Sequence, residues 1–191
     1  MRLPEVFING EVELFLKKRC SVREYTNESL SLIELAELLW SASKIPSAGG
    51  LYTLNYYTVV NRVTGLEAGI YRYGTDHCIE KVKSGDISEC LCDAGLRQEC
   101  IKNAAVNIVI SATPKSVLSR YRLRGYRYIY MEAGHSGQNI HLMSEKLGLG
   151  TVMVGAFIND TVKSLLEMPE GETPLYIIPV GRKNLKKRRV I

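Results

Sequence analysis

The sequence predicts an α+β fold, with helices packed around a central antiparallel or mixed sheet. Segments with apolar residues at helical spacing (11–19, 29–43, 126–147) alternate with β-rich runs at 54–62, 106–114 and 173–181. The run VNIVISATP (106–114) reads as the core strand and TPLYIIPVG (173–181) as a last buried strand. At 191 residues, 46% hydrophobic and 24% charged, residues 1–191 fit one domain with a sizeable core.

Taken in order, EVELFLKKR (11–19) is a helix through Val12, Phe15 and Leu16. Asn27 or Ser29 caps a second helix that reaches about Ser43. Its apolar stripe is Leu32, Leu35, Ala36, Leu39 and Trp40. LNYYTVVNR (54–62) is a strand. AGIYRYG (68–74) and HCIEKVKSG (77–85) read as paired strands around a turn at Gly74–Asp76. DISECLCDAG and RQECIKNAA are helical. The longest helix runs from about Tyr126 to Leu147, and its apolar and aromatic content places it centrally. GLGTVMVGAF (148–157) is an extended segment punctuated by glycine, and NDTVKSLLEM is a helix capped by Asn159 or Asp160. No internal repeat, linker or low-complexity stretch interrupts this order.

Several function classes are set aside by composition. The net charge of +5 is concentrated in a basic tail, 182–191, with Arg182, Lys183, Lys186, Lys187, Arg188 and Arg189. The rest is close to neutral, so nucleic acid is not an expected partner, and the tail can instead close over one phosphate group. No apolar run reaches the ~20 residues of a membrane span. The first residues lack a signal-peptide pattern, so a cytoplasmic protein is expected. Cys20, Cys78, Cys90, Cys92 and Cys100 are odd in number and follow no zinc spacing. They are expected to be reduced, mostly buried thiols, with no metal site. There is no Walker loop, and the G-x-G of GLGTVMVG follows a helix rather than a strand. No Ser-His-Asp order is evident, and His135 reads as a structural or site-lining residue.

Three short stretches carry chemistry. In RCSVRE (19–24), Arg19, Ser21 and Arg23 alternate, so an extended backbone projects them to one face. Two guanidinium groups flanking a hydroxyl suit a phosphate, although a solvated basic patch would read the same way. Ser47, Ala48, Gly49 and Gly50 either form a plain helix-to-strand loop or keep a surface low enough for a flat ligand to meet backbone. Gly155-Ala156 allows a similar close approach.

In this order, R-x-S-x-R, then P-S-x-G, the helix YRYIYMEAGHSGQNIHLMSEKLGLG, VGAF and the strand PLYIIPVG, the chain resembles the FMN-dependent nitroreductase superfamily. SRYRLRGYRYIYMEAGHSGQN and GLYTLNYYTVV…GIYRY look most like its azoline-dehydrogenase (SagB-type) branch. The resemblance implies a nitroreductase-like fold in an intertwined homodimer, with one FMN per subunit at the interface. Arg19, Ser21 and Arg23 would then hold the phosphate and ribityl region. Pro46, Ser47, Ala48 and Gly49 would line the flavin, partly from the opposite subunit, while the backbone of Gly155 and Ala156 would approach the ring edge near N5. Lys186 and Arg188 fall near the family's C-terminal phosphate-binding residues. Arg120, Tyr121, Tyr126 and Tyr128 are candidates to border the pocket, and no protein nucleophile is required.

The implied activity is a nitroreductase-like oxidoreductase. It would pass hydride between NAD(P)H, or an organic donor, and a small-molecule acceptor through flavin N5. Two positions depart from relatives. Gly50 stands where many have Asn, and Arg120-Tyr121 stands where azoline-acting relatives often have Lys-Tyr. Arginine stays charged and is a poor proton acceptor. The alternatives are an FMN-binding sensor or storage protein without efficient turnover, or an azoline-type dehydrogenase.

Overall fold

A computed structural model describes residues 9–184. Of the residues named above, Lys186, Lys187, Arg188 and Arg189 lie outside them. Six strands form one sheet: β1 (Leu54–Val60), β2 (Gly69–Tyr73), β3 (Ile79–Ser84), β4 (Val106–Ala112), β5 (Leu149–Thr151) and β6 (Thr173–Arg182). Their order is β3-β2-β1-β4-β6-β5, and every neighbouring pair is antiparallel, so the mixed alternative is not realised among the described strands. β4, paired with β1 on one side and β6 on the other, is buried along its whole length because both faces of the sheet are covered there.

Side chains alternate across these strands, and each face collects its own helices. On one face, Tyr56, Val60, Val106, Ile108, Ile110, Ile178 and Val180 pack beneath α2 (Leu32–Ser43) and α6 (Gly125–Lys146). On the other, Tyr57, Val59, Val109 and Ile177 meet α3 (Ser88–Ala94), α4 (Glu99–Asn103) and α7 (Asn159–Leu165). α1 (Glu11–Lys18) and α5 (Lys115–Tyr121) sit at the periphery, and α1 has no buried residue.

Several expectations change in detail. The cap of α2 is Ser31 rather than Asn27 or Ser29. Its hydroxyl accepts from the Glu34 N–H at 3.2 Å, while Glu34 Oε2 accepts from the Ser31 N–H at 2.7 Å. Of Asn27, Ser29 and Ser31, only the last has an acid three residues on, which completes a capping box. α6 buries a stripe through Ile129, Ala133, Ser136, Ile140 and His141, yet Tyr126, Tyr130 and Met131 are exposed, so its first turns are not enclosed. The extended segment 148–157 contributes only Leu149–Thr151 to the sheet, plus a bridge from Val154 to Ile177. Arg182 belongs to β6, opposite Leu149, and not to a free tail. Cys20, Cys78 and Cys90 are exposed, and only Cys92 and Cys100 are buried, so most thiols face solvent.

Candidate functional site

The R-x-S-x-R segment runs alongside the end of the sheet. The Val22 N–H donates to the Thr151 carbonyl at 2.9 Å, and the Thr26 N–H donates to the Arg182 carbonyl at 2.9 Å. Tyr25 is anchored from the other direction: its hydroxyl donates to the carbonyls of Val22 (2.7 Å) and Pro179 (3.1 Å). Burial, the dominant effect, pushes that phenol well above its ordinary pKa. Gly150 permits the close approach, since a Cβ there would sit 2.6 Å from a Val22 methyl. Val22 is half-buried and Tyr25 buried, while Ser21 and Arg23 are exposed and Arg19 is half-buried. Cys20 and Glu24 are exposed as well, so the segment does not alternate strictly between an inner and an outer face.

The charges around this segment are unequal in availability. Arg182 donates to both oxygens of Glu34, at 2.6 and 2.9 Å, and Lys183 donates to Glu145 at 2.7 Å. Among the described residues, neither Arg19 nor Arg23 has a carboxylate partner. His141, buried on α6, is held to a pKa of about 4, first by burial and then by Arg19. The local excess of positive charge thus belongs to Arg19 and Arg23, beside the Ser21 hydroxyl. This donor set suits an anion.

A second group forms at the other end of α6. Within the Pro46–Gly50 loop, Ala48–Gly50 makes a single 3-10 turn whose Gly49 has φ +64°, a conformation that side chains rarely adopt. One carboxylate oxygen of Glu132 accepts from both the Ser47 hydroxyl (3.1 Å) and the Ala48 N–H (2.8 Å). The Ser47 hydroxyl also accepts from the Tyr52 N–H at 2.9 Å, so it is committed to shaping the loop. Glu132 is 4% exposed, and its other oxygen is buried without a partner. Arg120 Nη1 donates weakly to the Gly49 carbonyl at 3.4 Å. A Cβ on Gly49 would lie 2.7 Å from the Tyr121 hydroxyl. Tyr121 in turn meets Tyr128 edge-on at 5.0 Å. Arg120, Tyr121 and Tyr128 are therefore gathered at the loop, whereas Tyr126 is exposed at the start of α6.

The third group is Gly155-Ala156. Gln98 Nε2 donates to the Ala156 carbonyl at 3.0 Å, and the Tyr176 ring lies 3.7 Å from where a Gly155 Cβ would be. Both residues are exposed, and among the described residues neither of their N–H groups is engaged. Thr151, which holds Val22, and Gly155 are joined by an extended stretch of about 13 Å. The anion-suited set and these open backbone donors are thus placed at two points along one segment.

Glu132 and His141 were not picked out from the sequence. Both are polar residues on the inner stripe of α6, and that stripe was the only available signal. Among the described residues, no cluster of His, Cys, Asp and Glu could hold a metal ion, and no helix is long and apolar enough to cross a membrane.

Comparison with known proteins gives consistent relatives. The model of the nitroreductase family matches residues 16–182. A protein of Methanocaldococcus jannaschii named as a nitroreductase is 39% identical over 195 residues, covering 96% of each chain. A crystal structure from Anabaena variabilis, also titled a nitroreductase, superposes with a TM-score of 0.85 at 31% identity. That match covers 91% of this chain and 38% of the other. The Escherichia coli microcin synthetase McbBCD complex contains a chain matched with a TM-score of 0.78 over 95% of this one. At 20% identity, that likeness concerns the fold alone.

Proposed function

We propose that this chain, which belongs to the nitroreductase family of oxidoreductases, binds FMN and works as a homodimer on a small organic acceptor. The observation that carries this reading is the unneutralised set Arg19, Ser21 and Arg23, next to two other cations that already have carboxylates. Bound FMN would supply the hydride relay between NAD(P)H, or an organic donor, and the acceptor.

The residues present fit the group. Arg19, Ser21 and Arg23 would hold the phosphate by charge-assisted hydrogen bonds. The free N–H groups of Gly155 and Ala156 are donors for the ring edge and would stabilise negative charge there. Pro46, Ala48 and Gly49 offer a low backbone surface, with Glu132 fixing its shape from below. Ser47 supports the loop and does not offer its hydroxyl to a ligand. The homodimer is supported by exposed apolar side chains on α1 and α2, such as Val12 (65% exposed) and Ile33 (73%). Lys186 and Arg188 are proposed as further phosphate donors on the family resemblance alone. A cytoplasmic location remains the expectation from sequence.

Absorption spectroscopy of the purified protein tests the cofactor. The expected result is a flavin band near ~450 nm with about one FMN per subunit, bleached by NADH or NADPH under anaerobic conditions. A colourless protein that takes up no FMN on reconstitution overturns the reading. A yellow protein that neither nicotinamide nor an organic donor reduces would identify the sensor or storage alternative.

A further inference from the structure

A cavity of about 300 Å³ opens between the C-terminal end of α2, the start of β1 and the β2–β3 turn. That volume is at the lower end for small-ligand pockets. Ile45 and Tyr52, which line it, flank the Pro46–Gly50 loop. Three kinds of observation define what it can hold.

The first is aromatic surface. Trp40 (47% exposed) and Tyr52 (65%) line the cavity with Tyr73 and His77. Tyr52 has φ +46°, uncommon for a bulky residue, and its N–H is tied to Ser47 at 2.9 Å. The second is rigidity on the opposite wall. The Tyr73 hydroxyl and His77 Nδ1 are 2.7 Å apart, and their rings meet edge-on at 5.7 Å. Tyr56 packs edge-on to Tyr73 at 6.3 Å. The rings are therefore placed before any ligand arrives.

The third is charge. Lys44 Nζ lies 5.7 Å from the Trp40 ring centre, and among the described residues it has no carboxylate partner. No Asp or Glu lines the cavity, and the nearby Asp76 accepts from the Cys78 N–H at 3.3 Å. The lining is thus aromatic with Lys44 as its cation, and the Asp76 charge reaches the far wall at Tyr73. An aromatic box alone would suit an organic cation, but Lys44 already covers the Trp40 face and repels a second cation.

We propose that this cavity binds a small planar aromatic anion of the benzoate type, its ring among Trp40, Tyr52 and Tyr73 and its acid group at Lys44. The proposal goes beyond the flavin reading and does not depend on it.

Trp40 is the only tryptophan in the sequence, and because it also borders the groove beside α6, the Tyr52 variant assigns its fluorescence change to this cavity. Titration with benzoate, benzamide and benzylamine should give a saturable change with benzoate. The change should come about fivefold weaker with benzamide, as expected for an exposed ion pair, and not at all with benzylamine. Lys44→Met should reduce benzoate binding to the benzamide level and leave benzamide unchanged. Tyr52→Ala should weaken both. The proposal is overturned if benzylamine matches benzoate, if Lys44→Met has no effect on benzoate, or if none of the three probes saturates. Running the titration on the flavin-loaded and flavin-free protein separates the two readings. A benzoate response in a protein that takes up no FMN keeps the cavity and removes the flavin, and the converse result removes only the cavity.

Discussion

Arg19 and Arg182 are both guanidinium groups at the same end of the sheet, but the structure gives them different work. Arg182 is held by both oxygens of Glu34, whereas Arg19 lies beside buried, neutral His141 without a carboxylate among the described residues. Arg19→Ala should therefore weaken FMN binding by about tenfold or more, since a charge-assisted hydrogen bond contributes roughly 1.5–3 kcal/mol. Arg182→Ala should leave FMN affinity close to that of the parent and lower stability instead. Equilibrium titration of flavin fluorescence distinguishes the two variants, and equal losses of affinity would refute the division of roles. His141 carries a prediction of its own. Its folded pKa of about 4 lies below the ordinary 6.5, so between these values the unfolded chain takes up a proton that the folded one refuses. Stability is then fully present above pH 6.5 and falls as pH drops towards 4, by on the order of 3 kcal/mol. Urea denaturation across this range should show that slope, and His141→Gln should flatten it. An unchanged slope would mean that other groups set the acid limb. Arg19, Ser21 and Arg23 drew notice in the sequence because the spacing of two arginines about a serine is a local property, whereas the absence of a carboxylate partner for the arginines among the described residues is not. Glu132 did not draw notice, because a single acid in a helix reads as solvated until its partners at Ser47 and Ala48, some 85 residues away in the chain, are known.

Elements were more legible than their ends. β4 announced itself because a strand covered on both faces is largely apolar, and Val106–Ala112 is buried throughout, its two polar residues bonded to the Ile101 carbonyl (Asn107) and to Glu172 (Ser111). The position of α2's first turn was harder to read, because SLSLIE offers two serines and only one has Glu34 at the required spacing. That turn links two levels of structure, since Glu34 both completes the cap and binds Arg182 at the end of β6. Ser31→Ala should remove the cap's hydroxyl alone and cost about 1 kcal/mol. Glu34→Ala also leaves the partly buried Arg182 without its partner, and should cost about 2–3 kcal/mol. Urea titration of both variants checks the order. Equal costs would show that the ion pair adds nothing to the cap. The exposed first turns of α6 also follow from this level. Apolar and aromatic content suggested a central helix, yet Tyr126 and Tyr130 face outward while the inner stripe joins Ile129 and Ile140 to small and polar residues.

At the scale of the whole molecule, α1 is difficult to explain within one chain. An isolated eight-residue helix is marginal in water, and α1 buries none of its residues. It nonetheless carries Val12 and Leu16, 65% and 52% exposed, and Val12 and Phe15 border an apolar groove with Leu142 and Met143 of α6. A second copy of the chain packed on Val12 and Leu16 would provide the burial that α1 lacks, and a dimer is the arrangement the family resemblance implies. α1 also leads directly into Arg19, so whatever orders the helix orders the anion-suited segment that follows it. Dimer formation and flavin retention are therefore expected to be coupled. The protein should sediment at about twice its 21.4 kDa chain mass. Val12→Asp combined with Leu16→Asp should place charge on the covered face, shift the protein towards monomer and release FMN in the same step. Sedimentation velocity followed at both 280 and ~450 nm reads protein and flavin together. A monomeric variant that keeps its full complement of FMN would show that one chain holds the cofactor unaided, and the coupling through α1 would have to be abandoned.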